Sequence, residues 1–109
     1  MVIKMANSLK GYYEGEGKDL LDAIDEIVRR FIKKTVKYPG LMKYVDVGEY
    51  DYGREDGTPL IEEQVRELGK GNFYFRICIF GYGCYFVAGT ALKKGKKWIA
   101  GAEVDEYEF

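Results

Sequence analysis

From Asn72 to Phe109 apolar side chains recur at every second position through three runs, NFYFRICIF, CYFVAGTALKK and KKWIAGAEVDEYEF, with glycine-bearing turns between them. Successive side chains leave a pleated strand on opposite sides, so this period marks strands with one buried face. The block specifies a three-strand antiparallel meander. A three-residue loop at Gly81-Tyr82-Gly83 is closed by Phe80 and Cys84, and a two-residue turn at Lys94-Gly95 by Lys93 and Lys96. These registers place Phe73, Phe75, Ile77 and Ile79 on one face with Tyr85, Val87, Gly89 and Ala91, and with Trp98, Ala100, Ala102 and Val104. No charge falls on that face, which is therefore the expected core. Its small residues leave room for a helix to approach closely.

The opposite face is mixed. It carries Tyr74, Arg76, Cys78 and Phe80, then Cys84, Phe86, Ala88, Thr90 and Leu92, then Ile99, Gly101, Glu103, Asp105 and Tyr107. A solvated sheet face normally holds fewer Phe, Ile and Leu than this. Such a surface is expected to be covered by the N-terminal segment, a second copy or a ligand.

Upstream, Leu20, Ile24, Ile27 and Phe31, widened by Leu21, Val28 and Ile32, fall within an arc of about 140° at helical spacing, which predicts a long helix over about 18–37. Its acids come early and its bases late, as the helix dipole favours, and Pro39-Gly40 ends it. Lys43–Tyr50 reads as a short strand with Val45 and Val47 on one side, and Glu49–Gly57 as an acidic loop. A second, short helix is predicted at about 59–68, with Thr58 as cap, Pro59 at its first position and Gly69 past its end. Val2-Ile3 could begin an edge strand, and Gly11, Gly15 and Gly17 imply turns. The fold expected is a single two-layer α+β domain over residues 1–109, with an antiparallel sheet of four or five strands and the long helix packed on one face.

Composition bounds the chemistry. The chain has 109 residues, a net charge of −1 and no histidine. The near-neutral charge supplies no bulk attraction for nucleic acid or an anionic membrane. No apolar run spans a bilayer and no signal-peptide core is present at the start, so the expected location is cytoplasmic with reduced thiols. Abundant Lys and Glu with few amides resembles thermophile composition. Without histidine, Ser-His and Cys-His nucleophile systems are absent. Cys78 and Cys84 cannot complete a zinc site alone, and in the registers above they are diagonal neighbours, beyond comfortable disulfide reach. Shifting the loop to Phe80-Gly81-Tyr82 would oppose them directly. Gly17-Lys18 before the helix fails as a phosphate loop, since Tyr12 replaces its first glycine and Asp19 its Ser/Thr.

No metal, cofactor or catalytic residue is assigned. The expected function is a non-enzymatic binding or regulatory module that forms a homodimer or docks a protein partner through the mixed face, with Tyr74, Arg76, Phe86, Glu103, Asp105 and Tyr107 as its interface residues. The alternative is a nucleic-acid binder using the basic tip Lys93, Lys94, Lys96 and Lys97 with tyrosines as stacking platforms. A second alternative is a small enzyme using carboxylates such as Glu103 and Asp105.

Overall fold

The computed structural model describes residues 11–35 and 44–106. The readings at Val2-Ile3, Pro39-Gly40 and Tyr107 lie outside them. In chain order the elements are β1 (Gly11–Gly17), α1 (Leu20–Thr35), β2 (Val45–Val47), β3 (Asp51–Gly53), β4 (Pro59–Leu60), α2 (Glu62–Leu68), β5 (Lys70–Ile79), β6 (Gly83–Lys94) and β7 (Lys97–Glu106). All pairings are antiparallel, in the order β1-β7-β6-β5-β3-β4, and β2 pairs with β5 beyond the end of β3. The α+β layering and the C-terminal meander are as expected. Among the described residues the sheet has seven strands where four or five were predicted, because short β2, β3 and β4 divide one edge and β1 adds another.

Both hairpin loops keep their predicted length and move back or forward by one residue. Ile79 pairs with Gly83 around Phe80-Gly81-Tyr82, and Lys94 pairs with Lys97 around Gly95-Lys96. Glycine conformation explains each shift. Gly81 takes φ 85° inside a turn closed by Tyr82 N–H donating to Ile79 O at 2.9 Å, the place where a type II turn demands a positive angle. Gly95 takes φ 63° at the first central position, as a type II′ turn requires, so Lys94 is relieved of that strain. Moving a loop of fixed length along the chain changes each partner by two residues, and every side chain keeps its face. The predicted core face is accordingly buried from Phe73 to Val104, with Gly89 partly so.

The first register shift overturns the reading of the cysteines. Cys78 and Cys84 are directly opposed, with Cα atoms 4.0 Å apart, and are joined by a disulfide.

The strand β1 corrects another reading: its glycines lie within a strand paired to β7 over its whole length. Tyr13 and Gly15 point into the core, and Tyr12, Glu14 and Glu16 point out. Gly15 and Gly17 are small because α1 lies directly on them. A Cβ at Gly15 would overlap the Ala23 carbonyl oxygen, and one at Gly17 would overlap Asp22.

Helix α1 starts two residues inside its predicted span and packs across β1, β7 and β6; the predicted end at residues 36 and 37 lies outside the described residues. Asp19 stands at its start, where its backbone carbonyl oxygen accepts from Ala23 N–H at 3.2 Å. Its buried side is Leu20, Ala23, Ile24, Ile27, Val28, Phe31, Ile32 and Thr35, while Leu21 is only half-buried. Phe31 links the layers by edge-on contacts with Tyr13 and Tyr85, at centroid distances of 5.6 and 5.0 Å.

Helix α2 begins at Glu62, three residues later than predicted. Pro59-Leu60 is consumed by pairing with β3, and Pro59 sits at the first position of an edge strand, where its missing N–H costs nothing. The helix start is instead capped by Gln64, whose Oε1 accepts from Ile61 N–H at 2.9 Å. Gly69, left-handed at φ 75°, terminates it as expected. No helix among the described residues is long and apolar enough to cross a membrane.

Candidate functional site: the open face of the sheet

Both helices lie on the core side, so the other side of β1, β7, β6 and β5 is left open among the described residues. Its side chains fall into rows fixed by the pairing. One row is Arg76, Phe86 and Asp105 on β5, β6 and β7. The next is Asp51, Tyr74, Ala88, Glu103 and Tyr12, running from β3 to β1. Below it come Asn72, Thr90, Gly101 and Glu14, then Lys70, Leu92, Ile99 and Glu16. Of the six predicted interface residues, five share these two upper rows.

Three large apolar or aromatic side chains on this face are well exposed: Tyr12 at 62%, Phe86 at 41% and Leu92 at 40%. Tyr74, Ala88 and Ile99 are half-buried among them. Small side chains carve a shallow depression of about 390 Å³, floored by Ala88, Thr90 and Gly101 and rimmed by Tyr12, Glu14, Leu92, Ile99 and Glu103. The Tyr12 ring lies over Gly101 so closely that a Cβ there would overlap its hydroxyl. That arrangement covers an otherwise bare glycine in a strand. Tyr12 was missed as a site residue because β1 was not recognised. The signal was present in the alternation of Tyr12, Glu14 and Glu16 with Tyr13, Gly15 and Gly17.

Away from the lysine tip, charge on the face is segregated. Glu14, Glu16, Glu103 and Asp105 occupy β1 and β7; Lys70 and Arg76 occupy β5; the β6 column between them is uncharged from Cys84 to Leu92. Asp46 and Asp51 lie at the outer edge of β5. Thr90 Oγ1 donates to Asn72 Oδ1 at 3.1 Å across β5 and β6. The half-buried disulfide heads the β5–β6 pair, one row beyond Arg76 and Phe86.

The lysine tip is fully exposed at the far end. Lys94 and Lys97 point to the open side, and Lys97 Nζ reaches Glu16 Oε1 at 3.8 Å. The carboxylates Glu103 and Asp105 stand on one strand face as predicted, and both are exposed.

A second polar cluster, invisible in the sequence, lies on the helix side. Arg66 of α2 grips Asp19 with two hydrogen bonds of 3.0 and 2.9 Å and Glu62 with one of 2.6 Å. The Arg66 guanidinium holds the Asp19 carboxyl below the usual carboxylate range, against a smaller opposing effect of burial. Tyr50 O–H donates to Asp25 Oδ1 at 2.7 Å, and burial, then this bond, raises the Tyr50 hydroxyl pKa. Tyr52 is buried with its hydroxyl lacking a hydrogen-bond partner among the described residues, and burial followed by the charge of Glu62 pushes its pKa up to about 12. These groups join α1, β3 and α2, a structural role; residues 19 and 66 are too far apart in sequence for any local pattern to pair them.

No known protein family, curated protein or solved structure matches the chain.

Proposed function

We propose that this protein is a non-enzymatic binding module whose open sheet face docks a second copy of the same chain. The observation that carries the reading is the apolar centre on β6, where Phe86 and Leu92 are exposed and Ala88 is half-buried. It is flanked by the acids of β1 and β7 on one side and by Lys70 and Arg76 of β5, with Asp46 and Asp51 outside them, on the other. A two-fold axis running along β6 stacks the uncharged columns and lays the basic β5 of each copy over the acidic β7 of the other. Such an interface is self-complementary, as an isologous dimer requires.

The size is also suitable. Four strands of 7, 10, 12 and 10 residues, about 4.8 Å apart and rising about 3.4 Å per residue, present roughly 640 Å², within the ~600–1,000 Å² per partner of a standard stable interface. A net charge of −1 imposes little repulsion between copies.

The nucleic-acid reading rests on the exposed tip lysines. The face beside them carries Glu14, Glu16, Glu103 and Asp105, which repel phosphate and confine any contact to the tip itself. Acid–base catalysis finds little support in Glu103 and Asp105, since exposed carboxylates lack the burial that tunes a catalytic acid.

Light scattering at micromolar concentration tests the proposal. A mass of twice 12.5 kDa is expected. A strict monomer at all concentrations, or tight binding to nucleic-acid probes at low salt in place of dimerisation, would refute it.

A further inference from the structure

We infer that the Cys78–Cys84 disulfide is a redox control on the open face: oxidised, it holds β5 and β6 in the form that docks, and reduction weakens docking. This rests on the reading of the face as the self-association surface.

Three observations support it. The bond lies on the open side, directly across β5 and β6, and both cysteines are half-buried rather than enclosed in the core. A small thiolate can therefore approach the sulfurs. The adjoining row is Arg76 and Phe86, each two residues from a cysteine and each on the same face. Beyond the bond lie one further pair, Ile79 with Gly83, and the Phe80-Gly81-Tyr82 turn, where Phe80 is 70% exposed. The ring it closes is short, with a sequence separation of 6, and short loops gain least from cross-linking. Its main mechanical effect is local, on the end of the hairpin that carries Phe86 into the interface.

The chemistry balances with a dithiol as reductant. Its thiolate attacks one cysteine Sγ, the S–S bond breaks, and the other cysteine leaves as a thiolate that takes up a proton. The second thiolate of the reductant then attacks the reductant's own sulfur in the mixed disulfide, and the remaining cysteine leaves as a thiolate that takes up a proton. The products are two cysteine thiols and one cyclic disulfide. Freed thiols cannot remain at bonding distance, so the end of the hairpin loosens and must be re-ordered on docking, a cost that lowers affinity. Coupling is reciprocal at equilibrium: if the oxidised form docks better, docking favours the oxidised form, and a docked partner that shields the sulfurs also slows their reduction.

The experiment is a concentration series by light scattering or analytical ultracentrifugation, on oxidised protein and on the same protein in dithiothreitol, with thiols titrated in each sample. The expected result is a dimer dissociation constant roughly tenfold higher after reduction. Cys78→Ser with Cys84→Ser should match the reduced value without reductant, and the apparent rate constant of reduction at fixed excess dithiothreitol should fall as protein concentration rises. Equal dissociation constants in both redox states, with the bond shown to be broken, would overturn the inference and leave the docking surface standing. Two free thiols in protein purified without reductant would also overturn it. A monomer in both states would remove the docking reading itself, and this inference with it.

Discussion

Tyr52 shows what a single buried hydroxyl does to this fold. Its ring belongs to the buried core while its O–H finds no acceptor among the described residues, and such an unsatisfied group costs about 1–3 kcal/mol. Tyr52→Phe removes the group and keeps the ring, so a gain of roughly 1 kcal/mol is expected in urea denaturation. The same residue makes a pH prediction. Its folded pKa is raised from 10.0 to about 12, so the folded state disfavours the phenolate. The stability this contributes is complete below pH 10 and is lost as pH rises toward about 12. Thermal melts between pH 9 and 12 should show a shallower alkaline decline for Tyr52→Phe than for the native chain. A residual slope is expected, because burial also raises the Tyr50 and Tyr85 hydroxyls.

At the scale of elements, the decisive contact is α1 lying on β1. An amphipathic helix was legible in full from its apolar spacing. The strand beneath it was not, because glycines at 11, 15 and 17 read as turns when only propensity is considered. Their function is steric: two of them face a helix backbone that leaves no space for a side chain. Gly15 does not need a positive φ, so Gly15→Ala isolates the packing cost. Backbone lies on both sides of the clash and cannot yield as a side-chain tip would. A loss of about 3 kcal/mol is expected, the upper part of the range for over-packing, read as a lower urea midpoint. A midpoint within ~0.5 kcal/mol of the native value would show that α1 can shift away from β1 at little cost. The short elements misread from sequence share one cause. Thr58-Pro59 is a good helix start locally, yet pairing with β3 claims Pro59-Leu60 first.

At the scale of the whole molecule, one sheet has one helical cover and therefore two unlike faces. Phe86 is the natural probe of the uncovered one, since it is 41% exposed and contributes little to the core. Phe86→Glu places a like charge beside Asp105 in the same row and a charge at the centre of the proposed interface. Dimer affinity is expected to fall by tenfold or more, about 1.4 kcal/mol or above, while Tm moves only by a few degrees. Sedimentation with parallel melting curves separates the two effects; loss of fold together with association would show that Phe86 belongs to the core. Five of the six interface residues named from sequence do share one patch, because alternation alone assigns them to a face. Tyr12, which borders that patch, was out of reach without β1.

What the amino-acid sequence by itself determined was the face on which each meander residue lies, and hence the content of the core. The reason is local: side chains alternate with period two, and both turns kept their length, so displacing them by one residue left every face unchanged. Tertiary structure alone decided which residues stand opposite one another. It chose turns that give Gly81 and Gly95 their positive φ angles, and thereby brought Cys78 against Cys84. It also added β1 to the far edge and joined Asp19 to Arg66 across 47 residues. These outcomes depend on contacts between segments distant in sequence, where packing and hydrogen bonding override local preference.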